Sequence, residues 1–168
     1  AMASGSDAAS NAAQIVLLDS DFSKMPEVVL EGRRVVNNIQ TSASLFLVKN
    51  IFSILTTVFT LIAANLYPLY PTQLSLLGAF TIGTPAFVLA LQPNKELIRG
   101  DFLVNVILKA LPAGLADFIM LAAISIHGNI LGMSNEQIST VAIVILLFIG
   151  LAALVRICRP FDGIRILL

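Results

Sequence analysis

Four long apolar stretches run through this chain, about Ser42 to Ala64, Gln73 to Leu91, Leu103 to Ile126 and Ile138 to Val155. A bilayer-spanning helix needs about 20 mostly apolar residues at 1.5 Å rise each, so each stretch is a candidate span. The basic residues between them fall in alternate connecting segments. Lys24, Arg33 and Arg34 precede the first span, Lys95 and Arg99 separate the second from the third, and Arg156, Arg159 and Arg165 follow the fourth. Residues Asn65 to Thr72 and His127 to Gln137 contain no lysine or arginine. The positive-inside rule then predicts an integral membrane protein with its N-terminal portion in the cytoplasm and both bare connectors outside. Tyr67 and Tyr70 fall where an outer aromatic belt would lie. His127 is expected to be a solvated residue of the second outer connector, because a lone histidine without neighbouring ligands makes no metal site.

Composition narrows the classes further. Hydrophobic residues make up 57% of the chain, charged residues only 12%, and the mean hydropathy is +0.92, against about a quarter charged residues in a soluble domain. Ten basic against ten acidic residues leave no clustered basic face, so nucleic acid is not an expected partner. The single cysteine, Cys158, excludes an internal disulfide and reads as a small apolar filler at a helix end. Residues 1 to 14 are small and polar, without the basic and apolar regions of a secretory signal.

The first forty residues are polar enough for water but too few to bury a core. Ser4 with Asp7 three residues later is a capping-box pattern, predicting a short Ala-rich helix to about Ala13. Ile15-Val16-Leu17-Leu18 is an apolar run of strand length, so the pair suggests a helix and a strand buried on both faces, part of an α/β sheet whose other strands lie outside this chain. Ser23 is a plausible N-cap with Pro26 in the first turn. From there Met25, Val28, Val29, Gly32, Val36 and Ile39 recur at helical spacing, with Lys24, Glu27, Glu31 and Arg34 opposite. No Pro- or Gly-rich break separates this helix from the first span. A continuous helix of that kind transmits movement, since its turns cannot lengthen without breaking backbone hydrogen bonds.

At this point the residues resemble a known family. The run beginning Ala1-Met2-Ala3-Ser4-Gly5-Ser6-Asp7 and continuing through Ile15-Val16-Leu17-Leu18-Asp19-Ser20-Asp21-Phe22 is similar to the stretch of P-type (E1-E2) cation-transporting ATPases that directly follows their catalytic Gly-Asp-Gly-x-Asn-Asp motif. Glu31-Gly32-Arg33 resembles their stalk before the fifth membrane helix. Thr81-Ile82-Gly83-Thr84-Pro85-Ala86 is similar to the Thr-Asp-Gly-x-Pro-Ala of the sixth helix in calcium and sodium/potassium pumps, and Gln92-Pro93-Asn94 resembles the loop after it. The resemblance covers the whole chain. It implies a mostly α fold: a polytopic membrane helix bundle of four full spans plus the start of a fifth, preceded by a short α/β remnant of a HAD-like phosphorylation domain. Residues 1–22 would be the last helix and strand of that domain, 23–41 the stalk helix and 42–168 the transport domain, with Ile164 to Leu168 entering a ninth helix.

The resemblance also implies ATP and Mg²⁺ as cofactors of the full pump. Their sites are not expected in this chain, which contains no Asp-Lys-Thr-Gly-Thr, Thr-Gly-Glu or Gly-Asp-Gly-x-Asn-Asp motif and by itself should not hydrolyse ATP. The implied partners are the bilayer, the N-terminal part of the same pump and a transported inorganic cation, Ca²⁺ being the first candidate. The implied location is the bacterial plasma membrane. Two other classes compete: a self-contained four-helix transporter or channel with a cytoplasmic arm, and a non-transporting membrane scaffold.

Polar groups in hydrocarbon locate the candidate site, because a charge at a helix centre costs roughly 2.5 to 3.5 kcal/mol on insertion scales. In the first span Lys49, Asn50, Ser53, Thr56 and Thr57 cluster at spacings of three and four. In the second, Pro85 removes a backbone donor and Gly83 relaxes the chain nearby, so a locally unwound helix is expected to expose carbonyl oxygens beside the hydroxyls of Thr81 and Thr84. Asn50 and Thr84 are expected to confront each other across one pocket. The competing reading is a kinked, packed helix whose threonines bond back to their own turn. Where the related pumps carry a carboxylate in the sixth helix, this sequence has Ile82. Lys49 reads either as a built-in positive charge beside the ion or as a snorkelling side chain. Lys109 is expected to snorkel. Asp117 is the only carboxylate within any span, which makes it a further transport candidate. Pro112 and Gly114 beside it suggest a kink or close helix contact, and the fourth span reads as scaffold.

Overall fold

The computed structural model describes residues 1–63, 67–91, 93–98 and 100–157. Cys158, Arg99, Arg159, Arg165 and the expected further span from Ile164 lie outside the described residues.

Helix α1 covers Asp7–Ala12. Its N-cap is Ser6, whose Oγ accepts the Ala9 N–H at 3.3 Å, and not Ser4, whose N–H is instead taken by Ser20 Oγ at 2.9 Å. No strand forms among the described residues. The run at 15–18 contributes only an isolated parallel bridge, Leu17 with Met2, fixed by Leu17 N–H to Ala1 O at 2.8 Å and Ala3 N–H to Leu17 O at 2.9 Å. The expected strand therefore reduces to one rung, since two short segments without neighbours cannot extend a ladder.

Asp21, not Ser23, opens the next element. Its carboxylate accepts both the Ser23 N–H at 3.0 Å and the Ser23 hydroxyl at 2.6 Å, starting the 3₁₀ turn Phe22–Lys24 that leads into α2, Met25–Ala63. Stalk and first span are thus one helix of 39 residues. Its buried positions Leu45, Val48, Phe52, Thr56 and Thr60 repeat at three and four, one stripe facing the bundle, while Phe46, Ile54, Val58, Leu61 and Ile62 look outward. The apolar positions Val28, Val29 and Ile39 of its first part are exposed.

The second span is composite: α3 (Pro71–Gly78), a π-helical turn (Ala79–Gly83) and α4 (Thr84–Ala90). Together they run 20 residues. The other spans are α5 (Phe102–Ile130) and α6 (Asn135–Ile157). His127 therefore belongs to the last turn of α5, exposed, and not to a connector. A reversal at Gly132 (φ +68°) follows, where Met133 N–H bonds Gly128 O at 2.9 Å. Ser134 and Gln137 then exchange side-chain and backbone bonds as a capping box for α6.

Helix α2 packs chiefly against α5, and α5 against α6. Glycines make these contacts close: a Cβ at Gly114 would lie 2.9 Å from the Ile51 side chain, and one at Gly128 would lie 2.6 Å from Ile138. Phe59 and Phe118 meet edge to face across α2 and α5, centroids 6.1 Å apart. The connector entering α3 folds inward, with Pro68 and Leu69 buried and Leu69 joining Phe52, Leu121, Ala142 and Leu146 in one apolar cluster. Tyr67, half-buried, shares a side-chain hydrogen bond with Ser53. At the opposite end Asn38 Nδ2 donates to Ala90 O at 3.0 Å, and Asn37 Nδ2 donates to Glu96 O at 3.0 Å.

Candidate cation-binding cavity

A cavity of ≈ 30 Å³ lies where α2, the composite second span, α5 and α6 converge. Its polar lining comes from three side chains on three elements: Lys49 of α2, Thr81 of the π turn and Asp117 of α5. At 1.5 Å per residue, Lys49 and Asp117 both lie about 20 Å from the Ala63 and Ile130 ends of their helices, and Thr81 lies about 15 Å from the Pro71 end of α3. The three share one level, Thr81 and Asp117 buried within the bundle and Lys49 exposed at the cavity's edge.

Each is placed by a local feature of the sequence. Gly78 leaves room for the Lys49 ammonium, since a Cβ there would lie 3.4 Å from Nζ. Lys49 thus turns toward the composite span. Among the described residues it makes no ion pair. Thr81 is 6% exposed and sits against Gly150 of α6, where an added Cβ would lie 2.6 Å from Thr81 Cγ2. Its hydroxyl donates to Leu77 O at 2.7 Å, which leaves the oxygen's lone pairs free to accept. Asp117 is 5% exposed, and its Oδ1 has no hydrogen-bond partner. Thr56 Oγ1, fully buried on the α2 stripe, is likewise unpartnered. Its position in the same polar run as Lys49 and Ser53 was the signal available in the sequence.

The helix break takes a different form from the one expected. The backbone stays helical through Gly78, Gly83 and Thr84, and the donor lost at Pro85 is absorbed by a wider turn in which Thr84 N–H reaches Ala79 O. No segment unwinds. A π turn inserts one residue, which rotates Thr84 out of register with Thr81 and leaves Thr84 exposed. Asn50 is exposed too, because at two positions from both Val48 and Phe52 it falls on the far side of α2 from the buried stripe. Asn50 and Thr84 therefore do not meet at the cavity, and Ser53, half-buried, is engaged with Tyr67. Gly83 and Pro85 flank the cavity element without lining it, Gly83 exposed and Pro85 buried. Ile82, where the resemblance would place a carboxylate, is 7% exposed and packs with Leu45, Ala86, Leu89 and Leu154.

Compared with proteins of known description, the chain is 37% identical over 175 residues, 99% of its length, to a probable cation-transporting ATPase of Streptococcus pneumoniae. It is 37% identical over 182 residues, 100% of its length, to a calcium-transporting ATPase of Mycolicibacterium smegmatis. A P-type sodium-transporting ATPase of Toxoplasma gondii is 34% identical over 92 residues, 55% of the chain. The chain matches part of a P-type cation-transporting ATPase along its whole length. The chain spans about a fifth of the first two relatives, 22% and 23% of their own lengths. No protein-family model matches it, and neither does any solved structure. Among the described residues there is no group of three or more His, Cys, Asp or Glu side chains that could hold a metal ion.

Proposed function

We propose that the protein to which this segment belongs is an ATP-driven pump moving a cation, Ca²⁺ first among candidates, and that the segment contributes transport helices corresponding to the fifth through eighth. The observation that carries this reading is the whole-chain match to cation- and calcium-transporting ATPases, joined to a small, mostly apolar cavity into which three elements bring Lys49, Thr81 and Asp117. A self-contained transporter or channel is not favoured by that match.

In this reading residues 1–22 are the edge of a HAD-like phosphorylation domain. Support comes from the parallel pairing of Met2 with Leu17 around α1 and from the apolar Ile15, Leu18 and Phe22, 56%, 84% and 66% exposed, which a larger domain would cover. Residues 23–41 form the stalk, and the transport domain begins at residue 42. The N-terminal portion faces the cytoplasm of a bacterial plasma membrane, as the distribution of lysine and arginine favours. ATP and Mg²⁺ act elsewhere in the parent.

Within the segment, the buried Thr81 and Asp117 and the exposed Lys49 at the cavity's edge are the residues that would meet an ion, and Asn50, Thr84 and the Tyr67-bound Ser53, which do not line the cavity, are secondary. Because α2 is unbroken from Met25 through Lys49 to Ala63, a displacement at its first turn reaches the cavity without loss in helix length. Asn37 and Asn38 tie that helix to Glu96 and Ala90, so the end of the composite span moves with it. A site that changes shape when the stalk tilts is what alternating access requires.

Cation-dependent ATP hydrolysis by the full-length parent, across Ca²⁺, Mn²⁺, Mg²⁺, Na⁺ and K⁺, tests the reading. Stimulation by one of them, weakened by Thr81→Ala, is the expected result. A parent whose hydrolysis ignores every cation overturns it.

A further inference from the structure

Asp117 is the outlying observation of this bundle: a carboxylate 5% exposed, one oxygen unpartnered, lining the same cavity as an unpaired lysine yet not joined to it. A charged carboxylate buried without a partner costs several kcal/mol, a cost that a cation bound beside it would offset. Everything around it serves its placement. Gly114, one turn earlier, lets α5 approach the α2 backbone so closely that a Cβ on residue 114 would lie 3.1 Å from Val48 O. Across the cavity, Thr81 spends its hydroxyl proton on Leu77 O and keeps lone pairs for an acceptor role. Ile82, at the position where the resemblance would put an acidic ligand, lines the same cavity with an apolar side chain and packs into the neighbouring cluster.

We propose that Asp117, on the third spanning helix, supplies the carboxylate ligand of the transported cation in place of the one that the second span lacks. The proposal rests on the pump reading above. The ligand class is a hard cation, because the donor atoms that Asp117 and Thr81 bring to the cavity are oxygens. Asp117 contributes the charge and Thr81 a neutral oxygen. The Lys49 ammonium beside Gly78 limits the positive charge the cavity tolerates, which favours one ion over two.

The test uses the full-length parent with ⁴⁵Ca²⁺ as probe. Equilibrium binding and Ca²⁺-stimulated ATP hydrolysis are measured for the wild type, Asp117→Asn and Asp117→Glu. Asp117→Asn should raise the half-saturating Ca²⁺ concentration at least tenfold, and Asp117→Glu should recover most of that loss. A second measurement needs no variant: a hydrophobic carbodiimide should modify Asp117 in the wild type, read by mass spectrometry of its peptide, and saturating Ca²⁺ should block the modification. Wild-type Ca²⁺ binding that Asp117→Asn leaves unchanged, or modification indifferent to Ca²⁺, overturns this inference and leaves the pump reading standing. A parent that binds no Ca²⁺ overturns the assignment, and one whose hydrolysis also ignores every other cation overturns the pump reading with it.

Discussion

Gly114 of α5 stands against Ile51 of α2 so closely that a Cβ on residue 114 would lie 2.9 Å from the Ile51 side chain and 3.1 Å from the Val48 carbonyl. The second neighbour is backbone and cannot swing aside. Gly114→Ala is therefore expected to force α5 away from α2 and to cost about 1–3 kcal/mol, the usual range for overpacking. A lowered thermal midpoint of the detergent-solubilised parent checks it; an unchanged midpoint would mean the two helices have slack.

Gly32 gives the opposite expectation. It lies inside α2 with nothing within 4 Å of an added Cβ. Gly32→Ala should stabilise the helix by about 0.5–1 kcal/mol through helix propensity and a less flexible unfolded chain. The same thermal measurement, run beside Gly114→Ala, separates the two glycine roles.

The Lys49 ammonium shares its cavity with Asp117 and has no ion partner among the described residues. Lys49→Met keeps the length of the side chain and removes a positive charge that an entering cation must meet. The half-saturating cation concentration of the parent's ATP hydrolysis should fall about tenfold, equivalent to about 1.4 kcal/mol. A rise would instead make the lysine an organiser of the site.

At the stalk, the Asn37 side chain donates to Glu96 O at 3.0 Å and, less closely, to Asn94 O and Oδ1, both at 3.4 Å. Asn37→Ala should release connector 93–98 at a cost of about 1 kcal/mol per lost bond. Faster hydrogen exchange at Lys95 to Ile98, with exchange in α5 unaltered, is the expected signature.

The Asp21 carboxyl is held below its ordinary value of 3.8, first by the Ser23 hydroxyl and then by the Ser23 N–H. A lowered folded-state value means that the contribution is present above the unfolded value and fades as pH falls through the folded one. Acidification from pH 5 toward 2 should loosen the turn Phe22–Lys24 ahead of the rest of α2. The Ser23 amide in the full-length protein, followed by hydrogen exchange with Asp21→Asn as the pH-insensitive control, reports it.

Legibility in the sequence followed the range of the interactions involved. The four spans could be read directly, because a bilayer-length apolar run reflects a demand that acts on each helix separately. The continuity of α2 from Met25 to Ala63 was legible for the same reason: helix formation is local, and no breaker interrupts it. Lys49, Thr81 and Asp117 could be singled out as costly residues in an apolar setting. That these three converge while Asn50 and Thr84 turn away was not legible. Helix phase at Asn50 and the extra residue of the π turn before Thr84 decide it, and both depend on how Gly78, Gly114 and Gly150 let the helices close on one another. The N-terminal run at 15–18 fell short of a strand because strand pairing needs partners distant in the chain. By itself, then, the sequence determined which segments enter the membrane and which residue types are out of place there, since hydrophobicity and helix propensity act residue by residue. Only the tertiary structure decided which of those residues face one cavity, because facing is a relation between helices and is set by close packing.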